Sequence, residues 1–228
     1  MMKTRNKALT ALLACALFGA VSLGMTGTAS AQDKEPIALK YPSPTLKGTP
    51  EDLPKGDPNI EAVPDKPVKF LAPKGVQNVA LHKTVTSSKP PFTGELTQIV
   101  DGKKEPTDDD AIEFSKGLQW IQIDLGKSYE ISAIAVWHDH RYIQIMKSVI
   151  LQVSDDAEFK TGVTTIYNND RENKEGLGAG TDKQYFETYQ GKVFDAKGVK
   201  ARYVRGYTHG SAKGALNCWQ EVEVYAAP

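Results

Sequence analysis

The chain has 228 residues, 28 basic against 28 acidic side chains and no net charge. A length of this order holds one or two domains. The balanced charge excludes the strongly basic face of a nucleic-acid binder, and two cysteines exclude a disulfide framework or a Cys-rich zinc fold.

Residues 1–31 read as a targeting segment. Lys3, Arg5 and Lys7 form a basic head, an apolar stretch runs from Ala8 to about Met25, and Ala29-Ser30-Ala31 precedes Gln32. This is the layout of a secretory signal peptide cleaved after Ala31, not of a membrane anchor, because the run ends in small residues rather than a charged stop. Leu12-Leu13-Ala14-Cys15 offers an alternative, the lipobox of a bacterial lipoprotein. The apolar run continues well past Cys15, which favours cleavage at Ala31. No later segment reaches the ~18 consecutive apolar residues of a membrane span. The mature chain is therefore expected to be secreted, periplasmic or on the cell surface, with no integral membrane segment. It carries three more acidic than basic residues and one cysteine, Cys218, which beside Trp219 reads as a small buried hydrophobe.

Residues 32–75 form a second region. Nine prolines (36, 42, 44, 50, 54, 58, 64, 67 and 73) are spaced by charged and small residues without apolar periodicity. Such a segment is expected to be an extended leader or linker. The alternative is an ordered strap along the domain surface, with Phe70 and Leu71 as its docking residues.

Residues 76–228 are expected to form one domain. Thr84-Val85-Thr86 is a weak strand. Ile121, Ile123 and Leu125 share one face of a strand from Trp120, and Ile131 to Trp137 is apolar almost throughout, as a strand covered on both faces would be. Val149, Leu151 and Val153 alternate with Ile150, Gln152 and Ser154, Arg202 to Tyr207 is rich in Tyr and Val, and Val222 and Val224 alternate with Glu221, Glu223 and Tyr225. Period-two runs separated by turn residues predict an all-β sandwich or jelly roll. No amphipathic helix of normal length is evident; a short helical turn is expected at Asp156 to Lys160.

Several of these segments resemble one family in order. Asn78 to Lys83 with Val85-Thr86-Ser87-Ser88, the Val100-Asp101-Gly102 turn, Trp120-Ile121-Gln122-Ile123-Asp124-Leu125-Gly126, Val153-Ser154-Asp155-Asp156, Ala201 to Arg205 and Glu221 to Tyr225 resemble the discoidin, or coagulation factor 5/8 type C, domain. The resemblance covers about 78–226. The whole chain also resembles planctomycete-type secreted proteins of unassigned role. The family resemblance implies a galactose-binding-like jelly-roll β-sandwich. Its members are mostly non-catalytic modules that bind glycans, phospholipid headgroups or proteins through loops at one end, many with a structural calcium ion. Ca²⁺ takes six to eight oxygen ligands. The resemblance implies carboxylates from Asp101 and Glu221, carbonyls from Gln98, Lys103 and Gln220, and a Thr for which Thr107 is nearest, displaced by one position. The bland alternative is that Asp101 shapes a turn and Glu221 is a solvated strand residue.

The expected ligand site is Trp137-His138-Asp139-His140-Arg141-Tyr142. It gathers aromatic faces, imidazoles and a guanidinium after a core strand, the groups that recognise a sugar ring and its hydroxyls. The five named as ligand contacts are Trp137, His138, His140, Arg141 and Tyr142; the alternative is a core Trp followed by an ordinary polar loop. His138 and His140 would share a strand face, as a metal pair might, but no third ligand is evident. The loop Asn168 to Gly180 matches neither an EF-hand nor a dinucleotide motif. It is expected to be an insertion held by its own hydrogen bonds, or part of the binding rim. Asp108-Asp109-Asp110 is a solvated acidic run or an addition to a cation site. No G-x-S-x-G, H-E-x-x-H or P-loop is present, so no catalytic role is expected. The expected function is a non-catalytic extracytoplasmic module binding a glycan or cell-surface polysaccharide, with a structural calcium. The alternative is an envelope assembly protein that binds another protein through the same loops.

Overall fold

The computed structural model describes residues 33–44, 56–64, 66–107, 111–142 and 144–228. The expected signal peptide, the alternative lipobox and the acidic run Asp108 to Asp110 lie outside the described residues. Among the described residues thirteen strands run in order: β1 (Lys34–Pro36), β2 (Leu71–Pro73), β3 (Gln77–Asn78), β4 (Thr84–Ser87), β5 (Ile112–Phe114), β6 (Gln119–Trp137), β7 (Gln144–Met146), β8 (Ile150–Ser154), β9 (Thr164–Asn168), β10 (Tyr185–Glu187), β11 (Lys192–Thr208), β12 (Asn217–Trp219) and β13 (Glu221–Ala226). A 3-10 helix, Leu96–Val100, is closed by a reciprocal capping box between Glu95 and Gln98. No helix among the described residues is long and apolar enough to cross a membrane.

The two long strands, β6 and β11, make the fold. Their antiparallel pairing runs from Lys192↔Val136 to Thr208↔Gln119, with register shifts between Asp195 and Val199 and between Ala201 and Tyr203. Such irregularities bend and twist a ribbon. One half of β6 pairs with β4, the other with β13, and β11 passes the first half on to β8 and β9. Ile121, Ile123, Leu125, Ile134, Val136, Val153, Val204 and Val224 from both halves meet in one buried cluster. This is an all-β jelly-roll sandwich. The sequence reading gave two separate strands, from Trp120 and over Ile131 to Trp137; the structure joins them in β6 through Gly126, φ 87°, where the pairing with β11 shifts register between Ala201 and Tyr203. No helix forms at Asp156 to Lys160. There the Asp156 carboxylate accepts the backbone N–H groups of Glu158, Lys160 and Thr161, a side-chain-made turn that competes with helix.

The outer faces of the two halves are covered differently. Over the first half, the Arg205 guanidinium lies 4.5 Å from the Trp120 ring and 4.1 Å from the Phe159 ring. Over the second half, Ala133, Ala135, Trp137 and Tyr225 form a second apolar cluster with Ile37 and Ala72, flanked by Leu39, Tyr41, Phe70 and Val193. The leader is thus not a free linker over its described residues. It belongs to the same compact unit, Gln32–Pro228, and its ends pair as the hairpin β1–β2. Its anchors are Ile37, Ala72 and half-buried Phe70; Leu71, expected to dock, is 53% exposed, because it alternates with Ala72 along β2.

One glycine shows how tightly this end is built. A Cβ at Gly191, φ +62°, would lie 2.4 Å from the Trp137 ring. Gly191→Ala is therefore expected to lower stability by about 1–3 kcal/mol, the usual cost of overpacking, read from the urea midpoint.

Candidate functional site

Loops 138–149, 168–184 and 209–217 gather where β8 starts and β9 and β11 finish, since Ile150 pairs with both Asn168 and Tyr207. Each loop is fixed by polar side chains. Asp139 accepts the Arg141 guanidinium through both oxygens, at 2.9 Å each, and is itself buried. Ser211 donates to Gln144 Oε1 at 2.6 Å, and the Ala212 backbone N–H donates to the Ile145 carbonyl. In the 168–184 loop, the Asp170 carboxylate accepts the backbone N–H groups of Lys174 and Glu175, and Asn168 Nδ2 donates to the Gly178 carbonyl. His209 Nδ1 sits 2.9 Å from Glu175, tying this loop to 209–217.

The accessible groups on this rim include half-buried Tyr142 and exposed Lys213. The Arg141 guanidinium lies 5.8 Å and the Lys213 ammonium 5.5 Å from the Tyr142 ring. Both cations stand over the Tyr142 ring within cation–π reach, and the Ser211–Gln144 bond ties the same two loops together.

The expected ligand set is only partly brought together here. Trp137, His138 and His140 are fully buried and so cannot form an exposed sugar-binding face. Trp137 Nε1 donates to the Tyr189 carbonyl at 3.1 Å. His138 Nδ1 donates to the Cys218 carbonyl at 2.8 Å, and its ring lies 4.7 Å from Trp219. His140 Nε2 donates to the Lys104 carbonyl at 2.8 Å. Burial lowers both imidazole pKa values, that of His138 to about 4, so both are neutral structural residues. The described residues hold no cluster of three His, Cys, Asp or Glu side chains suited to a metal. Cys218 is only partly buried. Sequence reasoning missed Lys213, whose one visible signal was the Gly-flanked run Gly210 to Gly214, while Glu175 lies in the 168–180 loop that was expected either to be an insertion or to join the rim.

The Asp101–Gly102 turn meets Glu221. The Gly102 backbone N–H donates to Glu221 Oε1 at 3.1 Å, across 119 positions of sequence. Glu221 Oε2 is buried with no hydrogen-bond partner, and burial pushes the carboxyl pKa up to about 9. Glu221 is therefore not a solvated strand residue. An orphaned buried carboxylate oxygen beside a second carboxylate fits a hard cation. The other expected contributors are near in sequence but differently engaged. Gln98 caps the 3-10 helix through its side chain, the Lys103 ammonium reaches Asp101 across 3.5 Å in an exposed pair, and Thr107 donates its backbone N–H to Glu105.

Beside this turn lies a feature with no sequence signature. The Lys104 ammonium is buried, pairs with Glu223 at 2.6 Å and stands 4.8 Å over the Trp137 ring. Tyr225 donates its hydroxyl to the other Glu223 oxygen at 2.8 Å. Removing one member of such a pair leaves an unpaired buried charge. Lys104→Met is expected to cost about 3–5 kcal/mol, and adding Glu223→Leu to recover part of that loss, measured by urea denaturation.

Glu187 on β10 is buried with neither carboxylate oxygen hydrogen-bonded, and burial raises its pKa from 4.5 to about 8. A carboxyl raised on folding contributes its stability below its ordinary pKa and loses it as the pH climbs through the folded value. Stability should carry a component that declines from about pH 5 to about pH 8. Glu187→Gln should shrink it, leaving the part that Glu221, raised to about 9, contributes over the same range, as read from melting temperature against pH.

The sandwich, its bent long strands and its loop-bearing end define a galactose-binding-like jelly roll. The chain belongs to the F5/8 type C domain family, which matches residues 84–222, more than half of its length. No curated protein matches it in sequence. Among solved structures, it is similar to chitosan-binding module 1 of a chitosanase/glucanase from Paenibacillus sp. IK-5, at 23% identity over 66% of this chain and 99% of that one, with a TM-score of 0.44. A fucose-binding module of Streptococcus pneumoniae, SpX-3, is 19% identical over 66% of this chain and 98% of that one, with a TM-score of 0.45. A family 89 glycoside hydrolase of Clostridium perfringens in complex with PUGNAc is 17% identical over 65% of this chain, with a TM-score of 0.50. The match spans 14% of that enzyme.

Proposed function

We propose that this chain is a non-catalytic, extracytoplasmic carbohydrate-binding module. The observation that carries the proposal is the rim where Arg141 and Lys213 flank Tyr142, on loops that the Ser211–Gln144 bond ties together. A sugar ring lays its apolar face on an aromatic side chain, and its hydroxyl, carboxyl or acetamido oxygens take donors at the ring's edge. Arg141 is held in place by Asp139, so it is pre-aligned and loses little freedom on binding. The similar solved structures include a chitosan-binding and a fucose-binding module.

A calcium ion belongs to this proposal as a structural part. Asp101 and Glu221 would supply carboxylates, with carbonyl oxygens from the surrounding turn. The ion would supply positive charge to a carboxylate that burial otherwise penalises. A ligand that binds only the folded state stabilises it by mass action, about 2.7 kcal/mol at a hundredfold excess over Kd. Calcium is expected to raise the melting temperature, a chelator to reverse the rise, and Glu221→Gln to abolish the response.

The functional test is a glycan array probed with residues 32–228, with calcium and with chelator. Binding to defined glycans is expected, weakened about tenfold or more, about 1.4 kcal/mol, by Tyr142→Ala and by Lys213→Ala. Folded protein that binds no glycan in either condition would overturn the proposal.

A further inference from the structure

The leader does more than cover the sandwich. Between leader residues 61–70 and strands β10 and β11 lies a cleft of about 310 Å³, the lower end of the size range of small-molecule sites. Tyr41, Val68 and Phe70 form its leader side; Tyr185 and Lys192 face them from the sandwich. The leader wall is fixed by main-chain bonds. Glu61 N–H donates to the Gln184 carbonyl at 2.8 Å, Gln184 N–H to the Asn59 carbonyl at 2.9 Å, and Ile37 N–H to the Phe70 carbonyl at 3.0 Å. Gln190 Nε2 donates to the Pro64 carbonyl at 3.3 Å. The cleft is therefore preformed, which lowers the ordering cost of filling it.

Its chemistry narrows the ligand. The charged groups on its wall, Lys192 and Glu61, are an ion pair with each other. A charged ligand would have to break that pair and leave one partner uncompensated. Thr188 and Gln190 add neutral polar side chains to the same wall. A purely apolar ligand would strip water from such groups with nothing in exchange, at a cost of about 1–3 kcal/mol. The aromatic and Val side chains offer a surface for an apolar ring face. What meets all three conditions is a neutral ring carrying hydroxyls on its edge. We propose that this cleft is a second binding site, built jointly by the leader and the sandwich, for one neutral sugar ring. It shares no residue with the Tyr142 rim and does not depend on the rim's function. Half of its wall lies outside residues 84–222, the part matched by the family.

The test is a ¹H–¹⁵N NMR titration of residues 32–228 with the methyl glycosides of glucose, galactose, mannose, fucose and N-acetylglucosamine. At least one is expected to give saturable shifts at Val68, Phe186 and Lys192, with a dissociation constant of about 1 mM, typical of about −4 kcal/mol. These shifts should persist in the Tyr142→Ala/Lys213→Ala variant. They should vanish in Val63→Trp, which fills the cleft from a position that is 43% exposed and so spares the core. Shifts confined to Tyr142 and Lys213 would overturn the cleft and leave the rim proposal standing. Shifts at the cleft with phenol but with no glycoside would overturn the ligand class. Cleft shifts unchanged in Val63→Trp would overturn the location.

Discussion

The segment Ile131–Trp137 is buried on both faces, and that constraint orders the rest of the structure. Its inner residues, Ile134 and Val136, complete the sandwich core; its outer residues, Ala133, Ala135 and Trp137, need a second cover. An antiparallel sheet normally leaves one face to water. Here the small outer side chains let a chain approach closely, and the leader supplies Ile37, Phe70 and Ala72 to fill the space. The molecule is accordingly a three-layer object over half its length and a two-layer one over the other half, where Arg205 and its aromatic neighbours close the surface.

The third layer creates the low-dielectric setting of the Lys104–Glu223 pair. Glu223 shares the outer row of β13 with Glu221 and Tyr225, so covering that row forces each acidic group to find a partner. Glu223 takes the Lys104 ammonium and the Tyr225 hydroxyl; Glu221 takes the Gly102 amide and keeps one oxygen unpaired. The paired and the orphaned carboxylate are two outcomes of one burial event. The His140–Lys104 bond then links this acidic row to the start of the loop that carries Arg141 and Tyr142. Cover, ion pair, the Asp101–Gly102 turn and the loop of Arg141 and Tyr142 form one connected framework around Trp137.

Much of the fold was legible because β-alternation is a local signal. Ile121–Leu125, Val149–Val153 and Val222–Val224 announced their faces, and the unbroken apolar run to Trp137 announced a strand covered twice. What covered it was not legible. The leader docks through isolated side chains spaced by prolines, which have no period to detect. The short strands β5, β7, β10 and β12 are also silent, since three residues cannot display alternation. At the site, the meeting of the Asp101–Gly102 turn with Glu221 was visible only through family resemblance. The misplacement of Trp137, His138 and His140 has a simple cause. Aromatic and imidazole groups serve equally well in a ligand site and in a hydrogen-bonded core, and only burial separates the two. The Lys104–Glu223 pair spans 119 positions, beyond any local pattern.

The leader is thus the part of the chain on which the family fold has been extended. It covers the outer sheet, shelters the ion pair and walls the second cleft. Equilibrium urea denaturation of residues 32–228 beside residues 76–228 tests this most directly. The account predicts that the shorter chain has a lower midpoint and a smaller m-value, because m follows the surface exposed on unfolding. Equal midpoints and equal m-values for the two chains would contradict it.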